Sequence, residues 1–254
     1  MQTYINFFEK PKLKNPVLIE GLPGVGNVGR VAIAYMIDKL KAKKFAEIRS
    51  PYFMPLVLVN SKSEVVPITI ELYFLKNRKR DIILLIGDSQ PVEYIGYFEL
   101  CNLVIELCEE FGVSEIITTG GYGIGVEKKK PRVLGAVTDT KLKEKYKKYG
   151  IYFEKENQIG SIFGMSGSLL DFAKQKGIDG CAMLGETIGY PILTDPKAAE
   201  EILKILMGMF DLKIDLKDMD KSVKQLELFL KNIEEKTKEF TLHKPTKNYS
   251  EYIG

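Results

Sequence analysis

The chain has 254 residues, 45% of them apolar, and its 37 basic and 34 acidic side chains leave a formal net charge of +3. This length and apolar content suffice for one large domain with a buried core. The near balance of charge gives no electrostatic basis for binding nucleic acid or a membrane surface. No apolar run reaches the roughly 18 residues of a membrane span, and the start lacks the apolar region of a signal peptide. We therefore expect a cytoplasmic protein.

Cysteines and clustered basic residues indicate few special sites. The chain has 3 cysteines, Cys101, Cys108 and Cys181, with no C-x-x-C spacing, which argues against a disulfide framework and a zinc site. We expect no metal, and we expect Cys101 and Cys108 to face the core from one helix. The basic run at 128–130, with Arg132, is typical of a solvated turn.

Apolar β-rich runs alternate with helical segments along most of the chain. Strands are predicted at residues 5–8, 17–19, 53–59, 65–74, 82–86, 116–117, 133–137 and 181–184, with a hairpin turn at 60–64. Helices are predicted at 28–40, 94–111, 168–176 and 196–209, the last with Asp195 as its N-cap. This order predicts an α/β fold, with a mostly parallel or mixed sheet and helices on both faces.

The C-terminal part has a different pattern. Residues 220–240 are highly charged, with apolar residues spaced by three and four, which indicates a helix that packs on another helix. Residues 241–254 lack periodicity and contain His243, the single histidine. We predict a core domain at 1–212, an amphipathic helical extension at 213–240 and a flexible tail at 241–254.

A glycine-rich turn follows the strand that begins at residue 17. Gly24, Gly26 and Gly29 match the G-x-G-x-x-G pattern of dinucleotide-binding domains. That fingerprint also needs an acidic residue at the end of the second strand, and the nearest candidate, Glu47, does not end a clear strand. The competing interpretation is that the glycines allow a tight turn and close packing. We favour the second interpretation and expect no cofactor.

Three carboxylates, Glu20, Asp88 and Glu186, follow predicted strands, as do two threonines. If these strands are parallel neighbours, the acids meet at one rim, where they would act as acid and base or hold a divalent cation. The simpler alternative, which we favour, is that they cap helices and bind loop amides. With the glycine turn they define a candidate ligand-binding rim: Glu20, Gly24, Gly26, Asn27, Asp88, Thr118, Thr119 and Glu186.

The phrases around these residues resemble one known family. Residues 20–29, Glu-Gly-Leu-Pro-Gly-Val-Gly-Asn-Val-Gly, resemble the opening signature of the proteasome assembly chaperone family, in its archaeal branch. Four further blocks of that family are similar to residues 87–91, 118–122, 164–167 and 185–191. The blocks occur in order, and the resemblance covers roughly residues 15–210.

The resemblance implies a nucleoside-phosphorylase-like α/β fold with a C-terminal helical extension. It also implies a homo-oligomer, between a trimer and a pentamer, that assists the assembly of proteasome α-rings or related complexes. Some members of the family have been labelled ATP-grasp-like, but no pattern of lysines and acidic metal ligands supports that activity here.

The end of the chain is a second place where the family can be compared. Several proteasome-binding chaperones end with a hydrophobic residue, a tyrosine and one further residue. This chain ends Ser-Glu-Tyr-Ile-Gly, so that Tyr252 is displaced by one position and follows an acidic residue. Aromatic anchors can dominate interface energy, and Tyr249, Tyr252 and Ile253 are the candidate partner-binding residues.

Two functions therefore remain. The first, which we favour, is a homo-oligomeric assembly chaperone or scaffold that binds proteasome-type subunits or related proteins without catalysis. The alternative is an enzyme or small-molecule-binding protein with a nucleoside or phosphate site at the carboxyl ends of the strands. No serine, cysteine or histidine lies in a known nucleophile motif, which disfavours a hydrolase.

Overall fold

The computed structural model describes residues 2–153, 159–189 and 194–219. The strands are β1 (Tyr4–Phe7), β2 (Val17–Gly21), β3 (Lys43–Arg49), β4 (Val57–Val59), β5 (Val65–Pro67), β6 (Ile70–Leu75), β7 (Ile82–Gly87), β8 (Glu115–Gly123), β9 (Val133–Val137), β10 (Ile151–Tyr152) and β11 (Asp179–Thr187). The helices are α1 (Val28–Leu40), α2 (Tyr94–Phe111), α3 (Lys143–Lys147), α4 (Met165–Gln175) and α5 (Pro196–Phe210).

One large mixed sheet organises the fold. Nine strands lie in the order β1-β3-β6-β7-β2-β8-β11-β9-β10. The four central strands, β7, β2, β8 and β11, run parallel, and β6 and β9 join them in antiparallel pairs. Strands β2 and β7 are buried along their whole length, as expected for parallel strands covered on both faces. The predicted fold class is confirmed.

Helices cover both faces of the sheet. Helices α1 and α5 pack on one face, where Val17 and Ile19 of β2 join their apolar side chains. Helices α2 and α4 cover the other face, where Leu18 is buried. Because strand side chains alternate between faces, each central strand contributes to both clusters. The side chain of Asp195 accepts a hydrogen bond from the Ala198 amide at 3.0 Å, which confirms the predicted N-cap of α5.

The region between residues 43 and 75 differs from the prediction. Residues 43–49 form β3, an antiparallel strand that the sequence did not predict. The strand predicted at 65–74 is two elements: β5, which pairs with β4 in a separate hairpin, and β6, which joins the large sheet. The interruption follows Pro67, which has no amide hydrogen with which to continue a ladder.

The segment after α5 returns to the core. The Tyr35 hydroxyl donates to the Asp215 carbonyl at 2.6 Å, and Ile214 and Met219 are buried against α1 and α5. The helix predicted at 220–240 and the whole tail lie outside the described residues. Within the described part of the chain, no helix has both the length and the apolar character needed to cross a bilayer.

Candidate functional site

A cleft opens at the carboxyl ends of the central strands. Strand β2 leads into α1 on one face, whereas β8 is reached through α2 on the other, so the chain changes face between these neighbours. Such a switch point leaves a crevice outside the strand ends. Here it measures about 360 Å³ and is lined by Leu22, Pro23, Gly24, Val25, Gln90, Thr119, Gly120, Gly121, Tyr122, Gly123, Gly160, Ser161, Ile162, Phe163, Ser166 and Leu184.

The glycine turn packs tightly against the strand ends. A Cβ atom on Gly29 would lie 2.3 Å from the Thr119 carbonyl oxygen, and one on Gly26 would lie 2.9 Å from the Thr187 hydroxyl. Gly26 also has a φ of 62°, which favours glycine. A Cβ on Gly24, by contrast, would meet no atom within 4 Å. Gly26 and Gly29 therefore serve backbone packing, which supports the packing interpretation of the G-x-G-x-x-G pattern.

Two further features weaken the dinucleotide interpretation. Glu47 lies within β3, which β6 and β7 separate from β2, and its carboxylate binds Lys44 and Arg49 at 3.0–3.1 Å. The turn itself is held by backbone bonds, in which the Asn27 amide donates to Gly24 at 2.9 Å and Gly26 accepts from Asp195 at 2.9 Å. The acidic residue that the fingerprint needs is thus engaged elsewhere.

Glu20 is a fully buried carboxyl group beside the cleft. One carboxylate oxygen accepts from the Leu22 amide at 2.9 Å, and the other accepts from the Ser166 hydroxyl at 2.9 Å. Burial raises the pKa of Glu20 to about 7, although these hydrogen bonds oppose the rise. Glu20 therefore changes its charge near neutral pH while it is in contact with a residue of the cleft wall.

Asp88 has a different partner on the opposite face. The Arg30 guanidinium of α1 donates to the Asp88 carboxylate at 2.7 Å and to the Gly87 carbonyl at 2.9 Å. Burial raises the pKa of Asp88 above its usual range, and the attraction of Arg30 opposes this shift. The pair fastens the end of β7 to α1.

Glu186 is bound by the basic residues that precede β9. Its carboxylate accepts two bonds from the Lys128 ammonium at 2.7 and 2.8 Å, and it binds the backbone and guanidinium of Arg132 at 2.6–2.9 Å. Burial alone would raise the pKa of Glu186, but these donors lower it to about 2. The prediction of a purely solvated turn at 128–132 was wrong for Lys128 and Arg132, whereas Lys129 and Lys130 are exposed.

The three acids do not form one cluster. Asp88 binds α1 on one face, whereas Glu20 binds Ser166 of α4 on the other. Glu20 lies opposite Thr118 in the sheet and Glu186 lies opposite Tyr122, a separation of four residues, or about 13 Å at the usual strand rise. Within the described residues, no group of three or more potential ligands is placed to hold a metal ion.

The two predicted threonines lie at the same edge with different roles. The Thr119 hydroxyl donates to the Glu20 carbonyl at 2.7 Å and so ties β8 to β2. Thr118 is fully buried, and its hydroxyl has no hydrogen-bond partner among the described residues. The tail candidates Tyr249, Tyr252 and Ile253 lie outside the part of the chain that the structure describes.

Sequence reasoning missed two residues of the cleft, Gln90 and Ser166. The Gln90 amide donates to the Pro23 carbonyl at 2.5 Å and accepts from the Met165 amide at 2.9 Å, which joins the glycine turn to the start of α4. Gly164, before this helix, has a φ of 80°. Both residues lie in family-like blocks, but their contacts join positions far apart in the chain.

Comparisons with known proteins agree with this architecture. The PAC2 family model matches residues 18–234. A solved structure of Pyrococcus furiosus PbaB, described as an archaeal proteasome activator, has 39% identity, a TM-score of 0.81, and coverage of 92% of this chain and 99% of that one. Pyrococcus furiosus PbaA, described as an archaeal homolog of proteasome-assembly chaperone, has 27% identity, a TM-score of 0.75, and coverage of 94% and 100%.

A protein of Methanocaldococcus jannaschii provides a further relative. It is 34% identical over 95% of this chain and 93% of its own length. The family model and these relatives each match nearly the whole of the described fold. It confirms the resemblance that the glycine turn and the later blocks indicated.

Proposed function

The chain belongs to the PAC2 family, and on that premise we propose that it is a cytoplasmic, homo-oligomeric scaffold that binds proteasome-type subunits or related proteins. The proposal is supported by similarity to two Pyrococcus proteins, one described as a proteasome activator and the other as a homolog of a proteasome-assembly chaperone. Its mechanism is steric: the oligomer holds partner subunits in register until their own contacts form.

The observation that carries the proposal is an exposed apolar surface on the β4–β5 hairpin. Val57, Val59 and Val65 share one face of this hairpin, and their exposed fractions are 54%, 63% and 66%. A two-stranded hairpin is only marginally stable in water by itself. A face of exposed valines on such an element is expected to be covered by another protein surface.

We assign this valine face to a second copy of the chain. Homo-oligomer interfaces are more apolar than transient ones, and charged residues are depleted from their centres. The paired positions Val59 and Val65 carry no charge. A net charge of only +3 also means that copies repel one another weakly.

A second exposed surface lies at the start of α2 and suits a different protein. Tyr94, Ile95 and Phe98 are 79%, 46% and 56% exposed, and Val92 lies just before them. Exposed aromatic residues are frequent energetic centres of protein interfaces. We assign this surface, together with the tail residues Tyr249, Tyr252 and Ile253, to the partner subunit.

Light scattering of the purified protein, with and without proteasome α-subunits, tests both assignments. We expect an oligomer alone and a heavier complex with the subunits. Val59→Glu should reduce the oligomer to a smaller species, whereas Val59→Thr keeps the β-branched shape and serves as the matched control. A monomer at micromolar concentration, or no complex with α-subunits, would contradict the proposal.

Capture of α-subunits on an affinity resin separates the partner surfaces. Tyr94→Ala should weaken capture about tenfold or more, as expected for an aromatic interface centre, without changing the oligomer mass. Removal of residues 241–254 should weaken capture and leave the fold intact, as judged by circular dichroism. If neither variant changes capture, the assigned partner surfaces are wrong.

A further inference from the structure

The cleft between β2 and β8 has the position and size of a small-molecule site. In open α/β sheets, ligands bind outside the carboxyl ends of the strands at such a switch point. The volume of about 360 Å³ falls in the usual range for ligand pockets. None of the described residues that line the cleft carries a charge.

The lining combines hydrogen-bonding groups with rings. The Ser166 hydroxyl and the Gln90 amide reach the cleft from α4 and from the loop after β7, while Tyr122 comes from β8. Phe163 is 89% exposed, although it also borders the cleft. An exposed phenyl ring beside polar groups provides a stacking surface for a planar ligand.

Two buried polar groups, Glu20 and Thr118, lie at paired positions on β2 and β8, and one of them is bonded to the cleft wall. Glu20 is in hydrogen-bond contact with Ser166 at 2.9 Å. Thr118 is opposite Glu20 on the neighbouring strand, and its buried hydroxyl has no partner among the described residues. Unsatisfied buried polar groups are uncommon in native proteins, and here one lies beside a carboxyl group that binds the cleft wall.

We propose that this cleft binds an uncharged molecule that combines a planar ring with hydroxyl or amide groups, the class to which nucleosides belong. The ring stacks on Phe163, and its polar groups bond to Ser166 and Gln90. This inference goes beyond the scaffold function and does not depend on it.

The surrounding charges disfavour a phosphate-bearing ligand. Cationic side chains are the strongest donors to a bound phosphate, and no described lysine or arginine lines the cleft. Lys128 and Arg132, at the other end of the rim, are bound to Glu186. Glu20 would add a negative charge behind Ser166. The sequence left open a nucleoside or a phosphate site at the carboxyl ends of the strands. Of these two ligands, the cleft favours the nucleoside.

A thermal-shift titration of the full chain with adenosine and uridine, against AMP and UMP, tests the inference. A specific site raises the melting temperature progressively with ligand concentration. At least one nucleoside should give this response, and its monophosphate should bind at least tenfold more weakly. If neither nucleoside gives a response, or if the monophosphates bind as well or better, the inference is overturned.

Two variants locate the site by isothermal titration calorimetry. Phe163→Ala removes an exposed ring, so the fold is retained, and it should weaken nucleoside binding about tenfold. Ser166→Ala should weaken it about five- to tenfold, whereas Ser168→Ala on the same helix is the matched control and should not change it. If Phe163→Ala binds like the unmodified protein, the ligand does not occupy this cleft.

Discussion

Glu20 and Glu186 lie at the ends of two parallel strands, with exposed fractions of 0% and 1%, yet their acidities differ greatly. The pKa of Glu20 is raised to about 7 and that of Glu186 is lowered to about 2. Glu20 accepts bonds from an amide and a hydroxyl, whereas Glu186 is bound by an ammonium and a guanidinium. Burial raises the pKa of Glu20, whereas the cationic donors to Glu186 outweigh the effect of burial there and keep it charged.

This difference in pKa indicates that the end of β2, with Glu20, and the end of β11, with Glu186, have different roles. The Glu186 carboxylate is saturated by Lys128 and Arg132, so it fastens the segment before β9 to the end of β11. Glu20 has no ion-pair partner among the described residues, and it exchanges its proton near neutral pH, next to the cleft. The β11 end is therefore a structural joint, and the β2 end is the place where binding can alter charge.

The largest effect is expected from Glu186→Gln. It removes the charge that holds two cations and should lower the free energy of unfolding by about 3 to 4 kcal/mol at neutral pH. This is the lower part of the range for breaking a buried ion pair. It applies because the Lys128 and Arg132 side chains are 37% and 35% exposed, so that water can solvate them once the carboxylate is gone. Chemical denaturation measures the change, with the exposed Glu127→Gln as a control within about 0.5 kcal/mol. A loss below about 1 kcal/mol would refute the structural role.

The glycine turn provides the next test, because it packs against the strand ends between these acids. Gly29→Ala places a methyl group against the Thr119 carbonyl and should destabilise the fold by about 2 to 3 kcal/mol. Gly24→Ala meets open space and has an extended backbone, so its effect should be within about 0.5 kcal/mol. Thermal unfolding compares them, and equal losses would contradict the packing role.

The pH dependence of stability should carry opposite contributions from the two acids. The folded-state pKa of Glu20 exceeds the ordinary value of 4.5, so its contribution to stability falls as pH rises from that value through 7. The Glu20→Gln variant should lack this loss. As pH rises from 5 to 8, the free energy of unfolding of the variant should therefore increase by about 2 kcal/mol relative to that of the unmodified protein. If the stability difference between Glu20→Gln and the unmodified protein did not change with pH, Glu20 would not be the group that titrates.

For Glu186 the sign is reversed. Its folded-state pKa lies below the ordinary value of 4.5, so its stabilisation is present above that pH and is lost as pH falls towards 2. The stability gap between Glu186→Gln and the unmodified protein should therefore narrow in acid. Urea denaturation at a series of pH values measures the gap, and Glu127→Gln is again the control.

The smallest effect is expected from Ser166→Ala. Loss of the hydroxyl removes one donor to Glu20 and should cost about 1 kcal/mol above pH 7, where the carboxylate is charged. Because that donor lowers the pKa of Glu20, the midpoint of the pH–stability profile should also move upward. An unchanged midpoint would show that the hydroxyl does not act on this carboxyl group.

Much of the fold could be predicted because its signals are local. The continuous apolar runs of β2 and β7, and the proline and aspartate that begin α5, each specify their own element. The partners of the rim acids could not be predicted in this way. Ser166 and Glu20 are 146 positions apart. In the sequence Lys128 is one of three consecutive lysines, and only the fold places it beside Glu186 of β11. Likewise, β3 is formed by pairing with β1 and β6, and these strands become its neighbours only in the folded sheet.

Gln90 has a consequence for how the cleft behaves as a whole. Its amide joins Pro23, which precedes α1, to Met165, which begins α4, and these helices lie on opposite faces of the sheet. The same glycine turn reaches the first residues of α5 through the bond from Asp195 to Gly26. One side-chain amide at the cleft thus connects the two helix layers, and a ligand that displaced it would remove its hydrogen bonds to Pro23 and Met165 at once.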